Sequence, residues 1–137
     1  MILNSPISGE VSEFTDENGN KGVRIVSDDE WIYAPGDAVV TSISDDLNSV
    51  ELLTDDGLNV RIRIGSADIP KEKIIGYVSA DDKVKSGDLL LEFDKYGIQR
   101  LDLDSTITLT VLNSADFFDV LVLKKETDSK EALVSVI

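Results

Sequence analysis

Four pairs of adjacent aspartates punctuate this 137-residue chain: Asp28-Asp29, Asp45-Asp46, Asp55-Asp56 and Asp81-Asp82. Paired carboxylates can divide the work of general acid and general base when their surroundings push their pKa values apart, as in glycoside hydrolysis. Neighbouring aspartates in the connections between strands more often shape solvated turns, and these are read that way. The stretch TDENGNKG sets Asp16, Asn18 and Asn20 at alternate positions, as a calcium loop does. Gly19 is misplaced for that purpose and no bidentate glutamate follows at the required distance, so it reads as a polar turn. Histidine and cysteine are both absent. Their absence removes the commonest general base, the thiolate nucleophile, the soft metal ligands and any disulfide framework.

Cationic chemistry is more interesting because it is scarce. The chain carries 27 acidic residues against 13 basic ones, a formal net charge of -14. That balance argues against nucleic acid and anionic membranes, which need a basic face to displace counterions. Yet in NVRIRIG, Asn59 to Gly65, two arginines stand together. Val60, Ile62 and Ile64 alternate with Asn59, Arg61 and Arg63, the period of a strand with one buried and one wet face.

The elements that would position these residues are short strands. GVRIVS, EWIYA, DAVVTSIS, SVELLT, LNVRIRIG, IIGYVS, DLLLEFD, TITLTVLN and ALVSVI are rich in β-branched and aromatic residues and regularly spaced. The expectation is an all-β chain, a compact antiparallel β-sandwich or barrel-like domain over residues 1–137 with at most one or two short helices. Asp56-Gly57 supplies turn chemistry for a hairpin joining SVELL to LNVRIRI. The helical candidates are Lys95 to Ser105, with Ile98, Leu101 and Leu103 on an apolar edge, and a turn at NSADFF capped by Asn113 or Ser114. Trp31 and Tyr33 share a strand face opposite Ile32, which suits core or rim packing. SGEV, PGDA and SGDL each place a glycine and an acid before an apolar run, a reused tight turn. Apolar runs such as VLVL are far shorter than the ~20 residues that span a bilayer, so a soluble, cytoplasmic protein is expected.

The ordered set SPISGEV, GVRIV, YAPGDAVVTSI, NSVELLTDDGLNVRIRIGSADI, VKSGDLLLEFD and TITLTVLNS...LVSVI resembles the glucose-type enzyme IIA domain of the bacterial phosphoenolpyruvate-dependent sugar phosphotransferase system, from about Leu3 to Ile137. The resemblance implies a twisted antiparallel β-sandwich. It also implies a shallow depression where two facing histidines would handle a phosphoryl group between a small phosphocarrier and a sugar permease. Matching the motifs puts Asn48 at the first histidine position and Arg63 at the second, with the family's separation. Phosphohistidine transfer needs a ring nitrogen that attacks phosphorus and then leaves. An amide nitrogen has a delocalised lone pair and a guanidinium stays protonated, so neither replaces it.

No catalytic residue, cofactor or metal is therefore expected. The resemblance implies a binding or regulatory module that does not relay phosphate. Its contact face would comprise Asn48, Arg63, Asp46, Asp68 and Arg61, and its protein partner would be a phosphocarrier, sugar permease or regulator. Two readings of Arg63 stay open: it pairs with Asp46 or Asp68, or its planar fork holds a small anion or a partner, with Asn48 adding a donor. Where the resemblance implies an apolar docking surface, this chain has Asp45, Asp46, Glu51, Arg61 and Arg63 at matching places. A carboxylate-based hydrolase or transferase on the same fold and an accessory domain of a permease are the alternatives. A zinc peptidase is excluded by the missing histidines. A monomer that neither binds nucleic acid nor inserts into a membrane is expected.

Overall fold

Alternating β-branched residues organise the chain into antiparallel sheets; the computed structural model describes residues 1–137. Its strands are β1 (Ile2–Asn4), β2 (Gly9–Thr15), β3 (Lys21–Val26), β4 (Trp31–Tyr33), β5 (Ala38–Ile43), β6 (Ser49–Thr54) and β7 (Asn59–Ile64). They continue as β8 (Ile74–Gly76), β9 (Lys83–Val84), β10 (Leu89–Phe93), β11 (Ile107–Val111), β12 (Val120–Val122), β13 (Glu126–Thr127) and β14 (Ala132–Val136). An eight-stranded sheet has the order β13-β2-β3-β11-β7-β6-β5-β9, and two three-stranded sheets have the orders β1-β14-β12 and β4-β10-β8. One cluster of 28 buried apolar residues fills the space between them. The all-β antiparallel sandwich expected from strand spacing is what forms, and no helix is long and apolar enough to cross a membrane.

All nine strands read from the sequence are present. Val60, Ile62 and Ile64 are fully buried, while Asn59 is exposed and Arg61 and Arg63 are half-buried, as their alternation requires. The β6–β7 hairpin closes through Thr54-Asp55-Asp56-Gly57. Only Gly57 takes a positive φ, +96°, and its N–H donates to the Thr54 carbonyl at 3.0 Å. Thr54 Oγ1 accepts the Leu58 N–H at 2.9 Å and donates to Asp56 Oδ1 at 2.6 Å. Two residues of the NSADFF turn brace this tip and its neighbour. Asn113 accepts the Asn59 N–H and donates to the Gly57 carbonyl, each at 3.0 Å, and Ser114 Oγ accepts the Lys21 N–H. Asn113 does occupy the position before the 3₁₀ turn Ser114–Asp116, but neither side chain makes a capping hydrogen bond.

The helix is shorter than its apolar spacing suggests. Helix α1 spans Lys95–Arg100, with the Asp94 carboxylate accepting the Gly97 N–H at 3.0 Å as its cap. Of the expected apolar edge only Ile98 is buried. Leu101 is exposed, and Asp102 has left the helical region with φ +58°. Trp31 is exposed and Ile32 buried; Tyr33 lies half-buried under Lys130, whose Nζ is 4.4 Å from the ring centroid.

The repeated glycine-acid turns open β2, β5 and β10, and two of them touch. The Ser86 N–H donates to Asp37 Oδ1 at 2.9 Å, and Asp88 accepts the Lys85 N–H. TDENGNKG is the β2–β3 turn, where Asp16 Oδ1 accepts the Asn18 and Asn20 N–H groups. Asp29 and Asp82 act in the same way, accepting the Glu30 and Ser79 N–H groups. The four aspartate pairs lie in separate connections between elements.

Candidate functional site

The open end of the β6–β7 hairpin is the candidate site. Cross-strand pairing sets Ser49 opposite Arg63, Val50 opposite Ile62 and Glu51 opposite Arg61, so the two arginines share the outer face with Ser49 and Glu51. Beside them the β5–β6 connection folds into a tight turn around Ser44. Leu47 takes φ +65° there, and the Ser44 N–H donates to the Ser49 carbonyl at 2.9 Å. Ser44 Oγ accepts the Ser49 N–H at 3.0 Å and lies 2.9 Å from Asp46 Oδ1 and 3.1 Å from Asn48 Oδ1.

Asn48 is buried within this turn. Its Nδ2 donates to the Ala67 carbonyl at 3.3 Å, and its own carbonyl accepts the Ile64 N–H at 2.8 Å. The side chain thus ties the turn to the segment following β7. That segment begins at Gly65, with φ +69°, where an added Cβ would lie 2.3 Å from the Asp104 carbonyl oxygen. Only glycine fits that close approach in that backbone conformation.

All five residues singled out from the sequence, Asp46, Asn48, Arg61, Arg63 and Asp68, line one open depression of about 420 Å³. Their states differ. Arg61 donates through Nη2 to Glu51 Oε1 at 2.9 Å. Glu51 Oε2 also accepts from Ser42 Oγ at 2.7 Å, and this bond, ahead of the Arg61 contact, holds the Glu51 carboxyl below its ordinary pKa against the opposing effect of partial burial. Arg63 makes no ion pair with Asp46, Asp68 or any other acid. Its Nε is buried and finds no hydrogen-bond partner.

Sequence reasoning missed Ser44, Ser42 and Arg24. The last stands on β3, one strand beyond β11 from Arg63, and its Nη2 is 3.6 Å from Asp104 Oδ2. Only the pairing register brings it near, and no local pattern announces that register.

The family model described as phosphoenolpyruvate-dependent sugar phosphotransferase system, EIIA 1, matches residues 2–117. The chain belongs to this EIIA family. Among its relatives, a lactose permease of Lactobacillus delbrueckii subsp. bulgaricus is 29% identical over 146 residues, covering 99% of this chain and 23% of that protein. A raffinose carrier protein of Pediococcus pentosaceus is 33% identical over 127 residues, covering 85% and 20%. A beta-glucoside-specific EIIBCA component of Dickeya chrysanthemi is 31% identical over 125 residues, covering 84% and 20%. This EIIA-type chain thus spans about a fifth of the length of these curated relatives. The solved glucose permease IIA from Mycoplasma capricolum superposes with a TM-score of 0.79, covering 98% of this chain and 94% of that one at 16% identity, a likeness of fold.

Proposed function

We propose that this EIIA-type domain does not relay a phosphoryl group and acts instead as a binding or regulatory module serving a sugar transporter. The observation carrying this reading is the absence of any histidine from the chain, with Asn48 and Arg63 at the two positions where the family resemblance places imidazoles. Asn48 is buried and hydrogen-bonded within its turn, and a carboxamide nitrogen is not a nucleophile toward phosphorus. Arg63 stays protonated at any accessible pH. What remains is a preserved scaffold displaying a polar face: Asp46, Glu51, Arg61, Arg63 and Asp68 around one depression. Such a face suits contact with a protein partner or a small anion. The names of two relatives, a lactose permease and a raffinose carrier protein, support a transporter as that partner. We take residues 1–137 to act as one domain, organised round the single apolar cluster.

A carboxylate-based hydrolase on this fold is the weaker reading, because the aspartate pairs are dispersed and several of their carboxylates act as turn acceptors. The test is incubation with phosphoenolpyruvate, enzyme I and the phosphocarrier, followed by detection of acid-labile phosphoprotein. The expected result is none above background, while a true EIIA in the same mixture is labelled. Stoichiometric labelling of this chain would overturn the proposal.

A further inference from the structure

Three of the chain's four arginines, Arg24, Arg61 and Arg63, line one further cleft of about 330 Å³ on the β2–β3 side of the depression described above. In a chain with 27 acids, that concentration calls for a physical reason. Strand register supplies the geometry. Thr108 on β11 is directly opposite Arg24 on one side and Arg63 on the other. Residues opposite one another in adjacent strands project from the same sheet face. The two arginine stems therefore flank a short hydroxyl side chain, with their Cα atoms about 10 Å apart across the three strands. Two long cationic side chains on either side of a threonine form a slot with a hydroxyl at its floor, and Thr106 and Thr110 add further hydroxyls to its wall.

The slot's cations are not fully neutralised from within. Asp104, the partner of Arg24, already accepts the Thr106 N–H and hydroxyl, and Arg63 has no ion pair and a buried Nε without an acceptor. Nε is closed off from solvent, so it is the terminal nitrogens of Arg63, which no acid engages, that are open to an acceptor brought by a ligand. Planar guanidinium forks match the oxygens of a tetrahedral oxyanion. The opposite wall has another character, with Asp16 and Glu17 from the β2–β3 turn. Those carboxylates repel a second anionic end and accept hydrogen bonds from hydroxyls. Ligand pockets for small molecules begin at about 300 Å³, so the cleft suits a compact ligand.

We infer that Arg24, Thr108 and Arg63 form a site for a small phosphate monoester whose remainder bears hydroxyl groups, the phosphate lying between the two guanidinium groups and the hydroxyls against Asp16 and Glu17. The inference rests on the binding-module reading and gives that module a ligand class. It adds Arg24 and Thr108, which lie outside the depression formed by Asn48 and Asp68.

The test is isothermal titration of the whole chain with glucose 6-phosphate, glucose and inorganic phosphate, repeated on Arg24→Ala, Arg63→Ala and Arg100→Ala. The last removes the fourth arginine, on α1 outside the cleft. Thermal melts verify that each variant folds. The expected result is measurable binding of glucose 6-phosphate, weaker binding of inorganic phosphate and none of glucose. Affinity should fall at least tenfold in Arg24→Ala and in Arg63→Ala and stay unchanged in Arg100→Ala. Should Arg24→Ala retain full affinity, should inorganic phosphate bind as well as the ester, or should nothing bind, the inference fails. No phosphoryl donor or relay protein is present in this titration. Its failure therefore leaves the proposed function standing, whereas acid-labile labelling of the chain overturns that function whether or not the ester binds.

Discussion

The two ends of the β6–β7 hairpin are built from the same strands and handle their polar groups in opposite ways. At the closed end, Thr54, Asp56, Leu58, Asn59 and Asn113 are joined in one set of hydrogen bonds. At the open end the backbone is just as firmly set, by Ser44, the Asn48 carbonyl and Gly65, yet Arg63 projects from it without an ion pair. The closed end reads as structure. At the open end a rigid frame carries an uncommitted cation, the arrangement expected where binding matters more than stability.

Breaking the frame of the open end should have the largest effect. Gly65→Ala forces an L-residue into positive φ and drives a methyl toward the Asp104 carbonyl, and should cost about 2–4 kcal/mol. Urea denaturation with an unchanged m-value measures it, and a loss below about 1 kcal/mol would mean that the close approach is not rigid. At the closed end, Thr54→Val keeps the shape but strips the Leu58 N–H of its acceptor. The expected loss is about 1–3 kcal/mol by the same measurement, and a neutral substitution would contradict the view that this hydroxyl holds the turn.

The smallest effects should separate the two arginines. Arg61→Ala removes a partly exposed ion pair and should cost up to about 1 kcal/mol at neutral pH, while Arg63→Met, which removes a buried donor without a partner, should leave stability unchanged or raise it by up to about 1 kcal/mol. The Arg61 effect should be pH-dependent. Because the folded-state pKa of Glu51 is depressed, the stabilisation is present above the ordinary glutamate value, about 4.3, and is lost as pH falls through the folded value. In Arg61→Ala an NMR titration should find the Glu51 carboxyl moved up toward its ordinary range, with the Ser42 bond retaining part of the depression. If Arg63→Met destabilised more than Arg61→Ala, the contrast between a paired and an unpaired arginine would be wrong.

Strands with a clear buried face were legible because Val60, Ile62 and Ile64, or Ile107 and Leu109, reveal themselves by alternation. Five strands escaped: no residue of β2 is fully buried, and β1, β9, β12 and β13 are only two or three residues long, too short for alternation to show. The helix was overextended because Leu101 follows Ile98 at a helical spacing of three residues, and spacing cannot see Asp102 turn to positive φ. Of the candidate site, Asn48 and Arg63 were singled out by motif comparison, whereas the approach of Arg24 and Thr108 to Arg63 comes only through β11, a strand more than forty residues away from β7 in sequence. Likewise, the locked state of Asn48 depends on Ser44 and Ala67, whose contacts no local pattern encodes.

Strand β5 carries a register shift between Val40 and Ser42, with Val40 opposite Leu52 and Ser42 opposite Glu51. One extra residue, Thr41, resets the phase of everything after it. Ile43 is thereby returned opposite Val50, against the core, and Ser42 is delivered beside Glu51, where its hydroxyl helps hold the acid that holds Arg61. The arginines themselves are sorted by the β6–β7 register, which sets Arg61 opposite Glu51 and Arg63 opposite Ser49. A residue inserted two strands away decides which hydroxyl steadies that acid, so the hold on one cation is adjusted by the length of a strand that is not its neighbour.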